Sequence, residues 1–264
     1  MRFLHLSDIH FLRNYPKAES GYNSIFNNIT SPLTQIKRCI DRIDLKEIAF
    51  IIITGDLVES GDFEDYKVLR ENLNGIFGDT PYIVTLGNHD NKEAFYKGWF
   101  DKEANEEAYN HVEEIAGVRI VSFDNSQYKN SNGMISEKQK KWLKKELSKD
   151  TNKDTILMLH HHILKEQFVT PSVEVDEEFE EIIKSSSVIG VFSGHTHHPY
   201  NGVFAGKPYF TARSLSFIGI NEEDGTVRFE EAAGFNLCTY TDGNISIDAI
   251  DVLEERKILG YVKF

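Results

Sequence analysis

The stretch Ala49-Phe50-Ile51-Ile52-Ile53-Thr54-Gly55-Asp56 decides how the chain folds. An unbroken apolar run rich in isoleucine suits a strand covered on both faces, as in a parallel sheet. The run stops on Thr-Gly-Asp, so a carboxylate stands where strand gives way to loop. The same grammar recurs. The apolar segments 3–6, 82–86, 155–159 and 188–192 end on Ser7-Asp8-Ile9-His10, Gly87-Asn88-His89-Asp90, His160-His161-His162 and Ser193-Gly194-His195-Thr196-His197-His198. Segment 118–123 is a further strand of this kind. In an open α/β sheet, ligands gather beyond the carboxyl ends of the strands, so five such loops can converge on one site.

Helical patterns separate these strands. Ser31-Pro32 supplies a cap and a first-turn proline before Leu33, Ile36, Ile40 and Ile43 at helical spacing. Asp62 is placed to cap a helix through Phe77, with Tyr66, Leu69 and Leu73 on one face. Ser136 and Gln139 make a capping box ahead of Trp142, Leu143 and Leu147. Beyond His198 the pattern changes to short strands and turns, at 203–204, 209–211, 217–220, 227–229, 236–239 and 245–247. The predicted fold class is α/β (α+β): a four-layer α-β-β-α sandwich of two packed mixed sheets flanked by helices. No repeat or linker divides the sequence, so residues 1–264 are expected to form one domain, with roughly the last forty a β-rich part of it.

Composition narrows the function. Of 264 residues, 29 are Lys or Arg and 42 are Asp or Glu, a net charge of −13. Hydrophobic content of 40% and charged content of 27% exclude disorder as the dominant state. The acidic balance argues against a face that neutralises a nucleic-acid polymer. It leaves room for a small anionic substrate held through metal ions, where local charge overrides net charge. Cys39 and Cys238 cannot build a disulfide framework and suit free thiols of a reducing cytoplasm. No signal-peptide core follows Met1, and no segment has the ~20 apolar residues that span a bilayer. A cytoplasmic location is expected, which makes the sequons at Asn28 and Asn244 chance matches.

The histidines carry the chemistry. Eight of the ten, namely His10, His89, His160, His161, His162, His195, His197 and His198, fall in the strand-end clusters; His5 and His111 stand outside and are assigned to structure. Carboxylate, imidazole and one amide, without thiolate, excludes an iron–sulfur cluster or structural zinc knuckle and suits Mn, Fe, Zn, Co or Ni. There are more ligands than one ion needs. Two ions about 3.5–4 Å apart, sharing a carboxylate, would use them all.

Asp-x-His, Gly-Asp, Gly-Asn-His-Asp, a histidine run and Gly-His-x-His, in that order, resemble the calcineurin-like metallophosphoesterase superfamily. Within it the sequence is most similar to the bacterial class III cyclic-nucleotide phosphodiesterases. The resemblance extends through the helix at 61–73 and the Trp-Leu helix at 133–147, and covers about residues 1–220. It implies a dinuclear centre of two divalent or trivalent ions (Mn, Fe or Zn). Asp8, His10 and His197 would hold one ion, Asn88, His160 and His195 the other, with Asp56 bridging. A bridging hydroxide would attack phosphorus, while His89 would stabilise phosphoryl oxygens or protonate the leaving oxygen.

Many members follow the fourth-motif histidine with prolines; here the run is His160-His161-His162-Ile163. His160 comes first after the strand, where the family's ligand stands. His161 would then face substrate or pack, and His162 would be a loop residue. His198 and Arg213 are weaker substrate-contact candidates. Asp90 would cap the helix that follows or orient His89, capping being the commoner fate of such an Asp.

The activity implied is hydrolysis of a small phosphodiester such as a cyclic nucleotide. A phosphomonoesterase is the alternative. The protein phosphatases of the superfamily carry an Arg-Gly pair after Gly-Asp, and here Ser60 stands where that arginine would. A nuclease lacks support from a basic stripe, and a metal-free scaffold would have lost ligands that this chain keeps. The loops 11–30, 91–117 and 163–176 shape the pocket, and their aromatics (Tyr15, Tyr22, Phe26, Phe95, Tyr96, Trp99 and Phe168) could line it or close the core.

Overall fold

The computed structural model describes residues 1–149, 152–167 and 173–263. Its first half alternates strand and helix: β1 (Arg2–Leu6), α1 (Pro32–Ile40), β2 (Ile48–Thr54), α2 (Phe63–Phe77), β3 (Tyr82–Thr85) and α3 (Lys92–Phe100). A second set follows with β4 (His111–Ile115), β5 (Val118–Ser122), α4 (Glu137–Leu147), β6 (Thr155–Met158), α5 (Glu177–Lys184) and β7 (Val188–Ser193). Strands then run to the end: β8 (Tyr200–Phe204), β9 (Lys207–Thr211), β10 (Phe217–Asn221), β11 (Thr226–Glu231), β12 (Gly234–Thr241), β13 (Asn244–Asp251) and β14 (Ile258–Lys263).

One sheet has the order β13-β12-β1-β2-β3 and the other β4-β5-β6-β7-β9-β8. Both are mixed, because β1–β2–β3 and β5–β6–β7–β9 pair in parallel while β12 runs antiparallel to β1, β4 to β5 and β8 to β9. Phe3, Phe50, Ile52, Ile156, Met158 and Phe192 fill the space between the sheets, with Phe3 stacked on Phe50 at 4.7 Å. Ile51 and Ile53, on the opposite face of β2, pack against the α1–α3 side with Leu69, Leu73 and Phe95. The outer face of the second sheet packs Leu157 and Val191 on Leu143, Phe179 and Ile183 of α4 and α5. Helices, sheet, sheet, helices is the predicted four-layer sandwich. The unbroken AFIII run reflects its two buried faces, one toward each neighbour.

The caps predicted at Asp62 and Ser136 form as capping boxes. Ser31 is different: its side chain makes no capping bond, and α1 ends at Ile40, short of Ile43. Two edge strands, β4 and β14, were not anticipated. Nor was a third sheet, β10-β11-β14, whose apolar face seats a 3₁₀ helix, Tyr22–Asn28, through Ile25, Phe26, Phe217, Phe229, Leu259 and Val262. This seat meets the strand-end loops, with the Phe217 ring 4.9 Å from that of His10 and the Tyr22 ring 6.3 Å from that of His89. Among the described residues no helix is long and apolar enough to cross a membrane.

His5 shows how fully the core is closed. Its ring is fully buried, with Nε2 2.9 Å from Thr54 Oγ1 and Nδ1 accepting from Asn236 Nδ2 at 3.1 Å. A second ring proton would face the amide donor, and burial lowers the pKa to about 3. The unfolded chain takes up that proton below about pH 6.5, the folded chain only near 3, so stability falls as pH drops through this window. The stability gap between wild type and His5→Gln, from urea unfolding, should therefore change by about 1.4 kcal/mol per pH unit between pH 6 and pH 4. A gap that stays constant would refute this assignment.

Candidate metal centre

The strand-end loops carry an unusual backbone. Asp8, His10, Asp56, His195 and His197 all adopt left-handed φ, between 49° and 71°. That region costs a non-glycine residue about 1–2 kcal/mol, and such strain persists where surrounding structure enforces it. Loop pairing does so here. Asp8 N donates to Gly55 O at 3.1 Å and His10 N to Asp56 O at 2.8 Å. Ser214 Oγ and Ser216 Oγ both donate to Asp8 O, at 3.0 and 2.9 Å. Two glycines permit the close approach: a Cβ on Gly87 would lie 2.1 Å from Asp56 Oδ1, and one on Gly194 would lie 2.0 Å from Ser7 Oγ.

The side chains then converge. Asp56 Oδ2 lies 3.5 Å from His10 Nε2 and 3.3 Å from His160 Nε2, so a single carboxylate oxygen stands between two clusters. In the first cluster, His10 Nε2 and His197 Nε2 are 3.1 Å apart, with Asp8 Oδ1 3.5 Å from His197 Nε2. In the second, Asn88 Oδ1 is 3.3 Å from His160 Nε2, and a ring nitrogen of His195 lies within 4.8 Å of one on His160.

The outer nitrogens fix which way each ring serves. His197 Nδ1 donates to Phe217 O at 2.7 Å and His160 Nδ1 to Thr54 O at 2.7 Å, while His10 Nδ1 meets Glu59 Oε2 at 2.6 Å. Each Nε2 is thereby turned inward, toward other acceptors. Among the described residues, Asp8 Oδ2 is buried with no hydrogen-bond partner. Acceptors facing acceptors, with an orphan carboxylate oxygen among them, fit cations, and imidazoles braced by carbonyl and carboxylate are how proteins hold them.

The electrostatics agree. Burial opposes ionisation of Asp56, but His160, His89 and His10 outweigh it and hold the carboxyl well below the usual range. Burial works against charge on His160 as well. There Asp56 and Asp8 prevail and push it up to about 9, a proton that a cation would displace. Burial, followed by neighbouring imidazoles, holds His195 and His197 well below the ordinary histidine value.

His89 stands beside this centre. Its backbone N donates to Asp56 Oδ1 at 2.9 Å, and its Nδ1 meets Glu59 Oε1 at 2.9 Å. Burial disfavours its charged form, yet Asp56 and Glu59 raise its pKa to about 10. Glu59, which the sequence reading passed over, thus links His89 to His10 through its two oxygens. An acidic side chain three residues after Asp56, in the same strand-end loop, was the available signal. Asn125 was also missed: its Oδ1 accepts from the backbone N–H of both His160 and His161, which fixes the start of the histidine run.

Asp90 is not the helix cap. Asn91 caps α3, accepting from Ala94 N, whereas the buried Asp90 carboxylate accepts from the N–H groups of Leu57, Val58 and Gly87 and from Tyr66 Oη. It braces the Asp56 loop.

An open cavity of about 300 Å³ is lined by His10, Tyr22, Asp56, Asn88, His89, His195, His197 and Phe217. The substrate-contact candidates His161, His198 and Arg213 are not among its lining residues. His198 Nε2 meets Gly219 O at 3.1 Å, and Arg213 pairs with Asp251 at 3.5 Å. His162 is a loop residue with Nδ1 near Leu164 O. Of the loop aromatics, Tyr22 reaches the cavity; Tyr15 and Phe26 support the 3₁₀ helix, while Phe95, Tyr96 and Trp99 pack in the core. Phe168 lies outside the described residues.

The calcineurin-like phosphoesterase family matches residues 1–199, which include every one of these cavity and candidate ligand positions except Phe217. The chain belongs to that family. It is a metal-dependent phosphoric ester hydrolase. Among its relatives is a protein of Rhodococcus erythropolis named "Probable cyclic nucleotide phosphodiesterase", 28% identical over 202 residues, 74% of this chain and 67% of that one. A "Probable glycerophosphodiester phosphodiesterase" of Arcobacter nitrofigilis is 31% identical over 160 residues, 56% of each chain. A solved structure of GAP50, the anchor in the inner membrane complex of Plasmodium, superposes with a TM-score of 0.57 at 16% identity, covering 100% of this chain and 88% of that one. At that identity the likeness shows the fold alone.

Proposed function

We propose that this phosphoesterase is a phosphodiesterase acting on a small diester, a cyclic nucleotide or a glycerophosphodiester, with two transition-metal ions drawn from Mn, Fe and Zn. Asp8, His10 and His197 would hold one ion, Asn88, His160 and His195 the other, and Asp56 would serve both. The observation that carries this reading is Asp56 Oδ2 standing between the two imidazole clusters. When bound, such a pair supplies an activated water and neutralises phosphoryl oxygens. The chain's own groups do the rest. Asn88 adds an uncharged oxygen, which limits negative charge next to an anionic substrate. His89, held by Glu59, presents a ring to the cavity from which a proton can pass to the leaving oxygen. Tyr22 and Phe217 form an aromatic wall, and the Tyr22 hydroxyl is tied to Glu59 Oε2 at 3.3 Å, so its ring is the part offered to substrate.

A cavity of this size accommodates one small ligand, at the low end of ordinary ligand sites. A cytoplasmic setting accords with two buried free thiols, Cys39 and Cys238. We take residues 1–264 as one functional unit, because β12 completes the sheet beside β1 and β10 supplies Phe217 to the cavity.

Hydrolysis of bis(p-nitrophenyl) phosphate by chelator-stripped protein, with and without Mn²⁺ and beside the monoester, tests the proposal. Metal-dependent diester turnover exceeding monoester turnover is expected. Monoester preference would replace the reading with a phosphatase. No turnover of either, with metal bound, would overturn it.

A further inference from the structure

His161 remains unexplained by the ligand sets above. The residue is fully buried, and among the described residues neither Nδ1 nor Nε2 has a hydrogen-bond partner. A neutral imidazole carries one N–H and one lone pair, and leaving each buried and unmet costs about 1–3 kcal/mol. An apolar ring of similar shape would avoid that cost. The ring has little freedom to turn away. Its backbone N donates to Asn125 Oδ1 at 3.1 Å and its O accepts from Asn125 Nδ2 at 3.0 Å, while a Cβ added to Gly133 would fall 2.8 Å from His161 Cγ. What it does face is imidazole: ring centroids of His160 and His195 lie 5.0 and 4.4 Å away. One ring nitrogen of each of His160, His161 and His195 lies within 4.8 Å of the others, a set from which a cation can be held.

We propose that His161 is a third imidazole ligand at the cation position of His160 and His195. The inference rests on the dinuclear reading above. It assigns that position three ring nitrogens with the oxygens of Asn88 and Asp56, a set that favours Zn, Co or Ni over Mn, whereas the Asp8, His10 and His197 position keeps one carboxylate of its own.

Zinc titration of chelator-stripped protein against a chromophoric chelator tests this, on wild type, His161→Ala and His161→Phe. The phenylalanine keeps the ring and its packing and removes only the nitrogens. Wild type should bind two equivalents. Both variants should keep one at wild-type affinity and bind the other at least about tenfold more weakly, since losing even an outer partner of a ligand costs that much. Variants that bind both ions as tightly as wild type would overturn the proposal and leave the dinuclear reading intact. A wild type that binds no zinc would defeat both. Should the variants fail to fold, ¹⁵N-histidine NMR of wild type decides: the His161 ring nitrogens should shift as zinc is added, and unmoved signals would overturn the assignment.

Discussion

Asp56→Asn is expected to strip the centre of metal and to lower diester turnover by about 10³ or more, a loss of about 4 kcal/mol in transition-state stabilisation. The argument is geometric. Oδ2 lies within 3.5 Å of both His10 Nε2 and His160 Nε2, so replacing the carboxylate removes charge from both proposed ion positions at once. The substitution conserves volume, and an amide oxygen can still accept from His89 N, so the loop that Asp90 braces is retained. His160, His89 and His10 favour the ionised Asp56 carboxylate in the folded state, so losing it also lowers stability, and the thermal midpoint of stripped protein should fall. Elemental analysis, initial rates and a melting curve on the same preparation separate these effects. Two ions bound at wild-type affinity would show that Asp56 does not bridge, whatever the rate.

What made the centre legible was the placement of polar residues at the ends of apolar runs. A strand buried on both faces has no reason to end repeatedly on histidine and aspartate, and five strands doing so at one end of two sheets converge by topology. The four layers followed from the same runs, because Phe50 and Ile52 must face one apolar neighbour and Ile51 and Ile53 another. Other features had no such signature. His197 is oriented by the carbonyl of Phe217, a role set by where the backbone passes and open to any residue type. The strand β4, His-Val-Glu-Glu-Ile, is a half-exposed edge whose period is blurred by adjacent glutamates. The pairing of β1 with β12 joins Arg2 to Thr239, a contact between distant parts of the chain that no local pattern announces. Asp90 looked like a cap because Asn91 follows it and either residue can cap; tertiary N–H groups from the Asp56 loop claimed its carboxylate instead.

His89→Ala should separate chemistry from metal binding. The ring belongs to neither proposed ion set, and the contact that ties residue 89 to Asp56 runs through its backbone N–H, which alanine keeps. Metal content should therefore stay at the wild-type level while kcat falls by about 10²–10⁴, the usual range for a lost general acid. The pattern across substrates carries the sharper test. p-Nitrophenolate departs with little assistance, whereas an alkoxide such as the ribose 3′-oxygen of a cyclic nucleotide needs a proton in the transition state. The loss should be larger for the alkyl diester than for the nitrophenyl one. Glu59→Gln should give a mixed result: a slower reaction because His89 keeps Asp56 but loses the second of the two carboxylates that raise its pKa, and weaker metal binding because His10 loses its Nδ1 partner. If His89→Ala empties the centre, or slows both substrates equally, the ring is positioning the site and does not deliver the proton.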